Sequence, residues 1–332
     1  MDGSESCIYI MTNTESLHFI DAYEKVQETV ERTLTTSPVL VREYTTHLAK
    51  STGKMIRAQA LLACAMDEHN KIHPDAIQFA TAIELIHLAT LVHDDVIDNA
   101  DTRRGQPSLQ KKHGQRTAVI CGDYLLCVAL MIAGSMENKE PYLHQALPNY
   151  MQKVCLGELR QHVNNGNYHL SVMSYMRIIS GKTAGLFEAS FYGGALLSKE
   201  QPQHKELREY AKLGRYIGMI FQLTDDLMDF ETTENVALKP VQSDFEQNVI
   251  TLPLIHAFSK DEDLRTKAIQ KLLGRKELNA RVQETGGLAY TRKLAKKYLE
   301  KSNKIIQELD MTSEKREKLS QLLAKSYREF IQ

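Results

Sequence analysis

Between Asp75 and Ile97 the chain runs for 23 residues without a glycine or a proline, with an apolar residue on almost every face of the helix it would form. A helix that is apolar all round has to lie inside a protein, covered by other elements. The rest of the sequence offers helices to cover it. Eight prolines (Pro38, Pro74, Pro107, Pro141, Pro148, Pro202, Pro240 and Pro253) separate long segments of Ala, Leu, Ile, Met, Glu, Lys and Gln, all good helix formers. Alternating Val/Thr/Tyr runs bounded by turn residues are scarce, so little sheet is expected. Asn164-Asn165-Gly166-Asn167 marks a loop between two helices. The more charged stretch from Lys260 to Gln332 reads as amphipathic outer helices. No linker and no short-period repeat interrupts the chain. The expectation is one all-α domain over residues 17–332, preceded by a flexible extension over residues 1–16.

The formal net charge of −1 provides no overall field to recruit nucleic acid or an anionic membrane, so an anionic ligand must be held by local clusters. The five cysteines (Cys7, Cys64, Cys121, Cys127 and Cys155) are odd in number and lack metal-site spacing. They read as buried thiols of a reduced, cytoplasmic protein. The N-terminal residues lack the basic leader of a signal peptide. The most apolar long stretch, Tyr124 to Met136, is shorter than a membrane span and reads as a buried core helix, so no transmembrane segment is expected.

One internal duplication stands out. Leu91-Val92-His93-Asp94-Asp95-Val96-Ile97-Asp98 is echoed by Phe221-Gln222-Leu223-Thr224-Asp225-Asp226-Leu227-Met228-Asp229, an apolar approach followed by Asp-Asp-x-x-Asp. On a helix Asp94 shares a face with Asp98, and Asp225 with Asp229, with Cβ atoms about 5–6 Å apart. At an effective dielectric near 20, two bare carboxylates at that distance repel by roughly 3 kcal/mol. A cation removes that cost. Hard oxygen donors without a His/Cys pattern favour magnesium, which completes its shell with water and phosphate oxygens. One such string is usually a solvated acidic face, but two arise by chance in only about one chain in a thousand.

Cations accompany the clusters. Arg103 and Arg104 follow the first, and guanidinium groups bind diphosphate bidentately. Lys54 and Arg57 are three apart on one helix face. His87 precedes Asp94 by two helical turns, on the same stripe, and Gln222 lies about one turn before Asp225. Lys182, Thr183 and Lys239 carry weaker signals by themselves.

Taken together, these residues resemble the trans-polyprenyl diphosphate synthase family. The markers are Glu84-x-x-His87, His93-Asp94-Asp95-x-x-Asp98 and Arg103-Arg104-Gly105, then Gly122-Asp123-Tyr124-Leu125-Leu126 and Lys182-Thr183. Phe221-Gln222-Leu223-x-Asp225-Asp226-x-x-Asp229, Lys239-Pro240, Asp244 and Thr251-Leu252-Pro253 complete the series. The likeness runs from about Leu17 to the C-terminal helix, and among the family's members the chain resembles the medium- and long-chain heptaprenyl and octaprenyl synthases. The chain departs from the family's usual Gly-Gly-Lys-Arg-x-Arg-Pro, reading Thr52-Gly53-Lys54-Met55-Ile56-Arg57-Ala58; Leu238 and Asn248-Val249 are further departures.

The resemblance implies a single-domain antiparallel helical bundle around a deep central cavity, the isoprenoid synthase type I fold. It implies a magnesium-dependent prenyltransferase that condenses an allylic diphosphate with isopentenyl diphosphate. Asp94, Asp98 and Asp225 correspond to magnesium ligands, and Asp95, Asp226, Asp229 and Lys182 join them as catalytic. Lys54, Arg57, His87 and Arg104 correspond to contacts for isopentenyl diphosphate. Arg103, Lys182, Thr183, Gln222 and Lys239 correspond to contacts for the allylic substrate. Family members that stop early carry a bulky aromatic at the position of Ala89 or Thr90. Small side chains there, with Ile86 one turn further down, point to a medium or long all-trans product for a quinone side chain. A geranylgeranyl or farnesyl diphosphate synthase is the alternative. The implied partner is a second copy of the chain or a small regulatory subunit. A purely regulatory chain is the more distant reading, since both aspartate clusters are intact.

Overall fold

The computed structural model describes residues 15–50, 53–136, 147–198, 203–231 and 243–327. The described residues form helices α1 (Phe19–Thr35), α2 (Val39–Ala49), α3 (Ile56–Ala65) and α4 (Pro74–Ile97), then a ribbon of β1 (Thr102–Arg103) and β2 (Gln106–Pro107). They continue as α5 (Leu109–His113), α6 (Gln115–Gly134), α7 (Leu147–Asn164), α8 (Val172–Lys182), α9 (Ala184–Leu197) and α10 (His204–Glu231). The last are α11 (Ser243–Glu246), α12 (Leu252–Lys260), α13 (Glu262–Ile269), α14 (Arg275–Glu284), α15 (Gly287–Glu308) and α16 (Ser313–Tyr327). The all-α expectation holds. The expected loop at Asn164–Asn167 falls at the junction of α7 and α8, with Asn164 closing α7 and residues 165–167 in the turn after it.

The chain groups into two compact units: residues 1–148, 189–211 and 310–319, and residues 149–188, 212–309 and 320–332. The first is organised around α4. His73 caps that helix by accepting the Asp75 N–H at 3.2 Å, and Pro74 supplies a preset φ at the first position. From there α4 is buried along nearly its whole length, with Ile77, Phe79, Ile83 and Leu85 among its fully enclosed side chains. Burying each such side chain is worth about 1.5–3 kcal/mol. At the end of α3, Lys315 of α16 is itself buried and donates to the Met66 carbonyl at 3.0 Å, satisfying one of the helix's terminal acceptors.

Helix α6 packs most extensively against α4. It differs from the expected core helix in two ways. It extends from Gln115 and so has the length and composition to cross a bilayer, as α4 does. Yet 72% of the α4 window is buried against 44% of the α6 window. Ala118, Cys121, Leu125 and Ala129 face inward, while Ile120, Cys127, Leu130 and Met131 are exposed. Of the four described cysteines, all free thiols, only Cys64 and Cys121 are buried.

The second unit has its own core, which includes Tyr175, Ile178, Leu223, Leu227, Phe230, Leu252 and Phe258. Here α7 and α8 cross in backbone contact. A Cβ on Gly157 would lie 2.1 Å from the Lys182 backbone nitrogen, so only glycine fits the crossing that sets Lys182 in place.

Candidate active site

Asp225, Asp226 and Asp229 lie in the C-terminal part of α10, and the first aspartate cluster occupies the last turn of α4. The negative end of the helix dipole lies there, so carboxylates in that turn are doubly unfavourable until a cation joins them. The two clusters are also built alike. In each, the second aspartate is buried and held by donors: Asp95 is 4% exposed and Asp226 1%. Asp94 is half-buried and Asp98 exposed; Asp225 is exposed and Asp229 half-buried.

Asp95 accepts from Arg103, at 2.9 Å from Nε and in a further bond from Nη2. The ribbon that delivers Arg103 was absent from the sequence expectation. Its two central residues, Arg104 (φ 52°) and Gly105 (φ 75°), are both left-handed, the pattern of a type I′ hairpin turn. The usual signal for that turn is Asn-Gly or Asp-Gly, and Arg-Gly carries it only weakly. Tethers hold the ribbon in place: His47 Nε2 lies 2.8 Å from the Pro107 carbonyl, and Ser108 Oγ and Gln110 Nε2 donate to the Ala100 carbonyl at 2.6 and 2.8 Å. The adjacent arginines diverge, Arg103 to Asp95 and Arg104 over Gly53, where its guanidinium fills the space a Cβ would need.

Within the same unit Arg57, His87 and Arg104 lie close enough to act on one another, and Lys54 follows Gly53, over which Arg104 lies. Tyr23 Oη and Gln59 Nε2 donate to the Lys54 carbonyl at 3.1 and 2.6 Å, fixing the backbone while its side chain stays exposed. Burial lowers Arg57 to about 10, still protonated at neutral pH, and lowers Arg104 as well. Burial, and then the charges of Arg57, Arg104 and Arg103, hold His87 well below the usual histidine value. His87 is therefore neutral at pH 7. A base whose folded pKa is depressed contributes stability above its unfolded value near 6.5, and loses it as pH falls from there toward the folded value. Acidification below pH 6.5 should thus destabilise the native chain more than its His87→Gln variant. The difference, approaching about 1.4 kcal/mol per pH unit, is measurable by denaturant titration; parallel curves would contradict it.

In the second unit a chain of hydrogen bonds stands behind the second cluster. Thr183 Oγ1 donates to Gln222 Oε1 at 2.6 Å, and Gln222 Nε2 donates to Asp226 Oδ1 at 2.9 Å. The Tyr175 hydroxyl donates to the other oxygen of Asp226. Burial pushes Asp226 up to about 7 against the pull of these donors, and burial beside Asp226 pushes Tyr175 far above the ordinary phenol value. Lys182 Nζ lies 2.9 Å from Glu158 Oε2. Tyr175 and Glu158 carry no motif of their own. Their positions on α8 and α7 become significant only once the chain is folded. Lys239 lies outside the described residues.

Along α4, Ile86 and Ala89 are buried and Thr90 is half-buried. The Thr90 hydroxyl donates to the His87 carbonyl at 2.8 Å, which spends its polarity on its own helix. Among the described residues no group of three or more His, Cys, Asp or Glu side chains is arranged as a metal site. Two carboxylates a helical turn apart, one exposed and one half-buried in each cluster, nonetheless suit a cation that takes its remaining oxygens from water and a ligand, as magnesium does.

Known proteins resemble this chain over most of its length. The polyprenyl synthetase family model matches residues 38–285. Heptaprenyl diphosphate synthase component 2 of Geobacillus stearothermophilus is 35% identical over 88% of this chain and 91% of its own length. Octaprenyl diphosphate synthase of Escherichia coli K12 is 30% identical over 90% of this chain and 94% of its own. The crystal structure of heptaprenyl diphosphate synthase from Staphylococcus aureus superposes with a TM-score of 0.83 at 32% identity, over 94% of this chain and 99% of that one. A polyprenyl synthase from Caulobacter crescentus, complexed with calcium and isoprenyl diphosphate, gives 0.79 at 26% identity, over 93% and 96%. The chain belongs to the polyprenyl synthetase family.

Proposed function

We propose that this trans-prenyltransferase repeatedly condenses an allylic diphosphate with isopentenyl diphosphate, giving a medium- or long-chain all-trans polyprenyl diphosphate for a quinone side chain. Heptaprenyl and octaprenyl products are favoured. The observation that carries the reading is the matched construction of the two clusters: an inward aspartate anchored by donors, beside one half-buried and one exposed carboxylate.

Asp94, Asp98 and Asp225 would hold magnesium. When bound, magnesium neutralises the leaving diphosphate as its carbon–oxygen bond breaks. Arg103, Lys182, Thr183, Gln222 and Lys239 bind the allylic diphosphate, and Asp95 and Asp226 fix the donors around it. Asp229 completes the second carboxylate face. Lys54, Arg57, neutral His87 and Arg104 hold isopentenyl diphosphate so that its double bond meets the allylic carbon, replacing a bimolecular encounter by a fixed approach. The released diphosphate takes the proton that ends each cycle. Growth proceeds past Thr90, Ala89 and Ile86, whose small or aliphatic side chains set the limit by steric fit.

The exposed apolar face of α6, with Ile120, Leu130 and Met131, supports association of two copies. The word "component" in the name of the Geobacillus relative favours a second reading, in which a small subunit is required as well. We place the activity in the cytoplasm, which suits free thiols at Cys64, Cys121, Cys127 and Cys155.

The test is incubation of the purified chain with magnesium, isopentenyl diphosphate and allylic primers of increasing length, followed by sizing of the products. Heptaprenyl or octaprenyl products are expected. Arrest at farnesyl or geranylgeranyl would favour the short-chain alternative. Turnover only after a second polypeptide is added would favour the heteromeric reading. No condensation under either condition would overturn the reaction itself.

A further inference from the structure

Glu84 stands in the middle of α4, 8% exposed, one turn before His87 on the same face. Its carboxylate accepts the Ala58 N–H at 2.8 Å. Ala58 is the third residue of α3, whose capping position is held by Met55. Methionine offers no oxygen to the first-turn N–H groups, and Met55 is itself buried in the left-handed conformation, at φ 44°. The cap that α3 lacks in its own sequence is supplied from α4 by Glu84.

The same carboxylate answers the cations around it. Burial raises the Glu84 pKa on balance, and the charges of Arg57 and Arg104 oppose that rise and favour the carboxylate form. In return Glu84 opposes the lowering that burial imposes on Arg57 and Arg104. Arg104 reaches this point because Gly53 leaves room for its guanidinium. Glu84 is thus an internal anion around which the first turn of α3 and the turn of the ribbon converge. Being negative, it repels a diphosphate and is no ligand for one. Its effect passes through its neighbours.

We propose that Glu84 is a positioning residue for the isopentenyl diphosphate site, fixing the start of α3 and the Arg57 guanidinium in the arrangement that receives the diphosphate. This rests on the assignment of Lys54, Arg57, His87 and Arg104 to that substrate. Without the carboxylate, the half-buried Arg57 would lose the nearby negative charge that favours its charged form and would turn toward water.

The experiment is steady-state kinetics with each substrate varied in turn. Glu84→Gln keeps the volume and a carbonyl acceptor for Ala58 while removing the charge. It is expected to raise the KM for isopentenyl diphosphate about tenfold, the loss of one charge-assisted bond, with kcat within about threefold and the allylic KM unchanged. In an Arg57→Ala background the same change should add no further rise, because Glu84 acts through Arg57. Glu84→Asp retains the charge on a shorter side chain and should give an intermediate value; it replaces Glu84→Gln if the uncharged variant does not fold. An unchanged isopentenyl KM, an equal rise in both KM values, or full additivity with Arg57→Ala would overturn the proposal. If the wild-type chain shows saturable turnover and only the variants behave otherwise, Glu84 alone is misassigned. If the wild type neither binds nor consumes isopentenyl diphosphate, the site reading fails and takes this proposal with it.

Discussion

Asp94→Ala is expected to lower turnover at least about a thousandfold, since it removes an electrostatic contact needed where charge develops on the leaving group. The fold should survive the change. Asp94 is half-buried in the last turn of α4, where a negative charge opposes the helix dipole and its neighbours. Alanine is the better helix former and carries no charge. Without magnesium the variant should therefore melt at or slightly above the wild-type temperature, while magnesium should stabilise it less than it stabilises the wild type. Inactivity combined with undiminished stability is the signature of a site that retains unfavourable charge for function. Activity within about tenfold of wild type would remove Asp94 from the catalytic group.

Thr90→Phe should change the identity of the product rather than the rate at which it starts. Ile86, Thr90 and Asp94 are spaced four residues apart, so Thr90 lies about 6 Å along the helix from the first carboxylate and Ile86 about 6 Å further. The Thr90 hydroxyl is turned back onto the His87 carbonyl, leaving its methyl group for the path proposed for the growing chain. A phenyl ring there would meet the growing chain after the early additions and exclude longer intermediates. Products are expected to shorten to geranylgeranyl or below, with early condensation retained. Sizing the dephosphorylated products against standards checks this. An unchanged product length in an active variant would show that chain growth passes elsewhere.

What the sequence made legible was local. The burial of α4 follows from apolar residues on every face, and the carboxylate pairs follow from spacing on a helix. The punctuation of the helices follows from proline and from the Asn164–Asn167 turn. What it concealed depends on contacts between distant segments. Nothing in Asp-Asp-x-x-Asp indicates that Asp95 and Asp226 turn inward, because Arg103 stands on a ribbon and Tyr175 on another helix. The ribbon was missed because its turn uses Arg104 in the left-handed conformation, where asparagine or aspartate is the usual signal. Helix α6 was expected to be a core helix because hydropathy reports composition and not which face is covered. Its outer face, and Cys127 on it, are exposed. The roles of Glu84 and Glu158 required the tertiary partners that give a lone glutamate meaning.

Calorimetric titration of farnesyl diphosphate into the wild type, Asp94→Ala and Asp225→Ala, with and without magnesium, tests the central assignment most directly. Both clusters should be needed: binding to the wild type should depend on magnesium, and either substitution should abolish that dependence. Equal affinity in all three proteins, or binding to the wild type that is indifferent to magnesium, would contradict the assignment of the aspartates to a metal-held diphosphate.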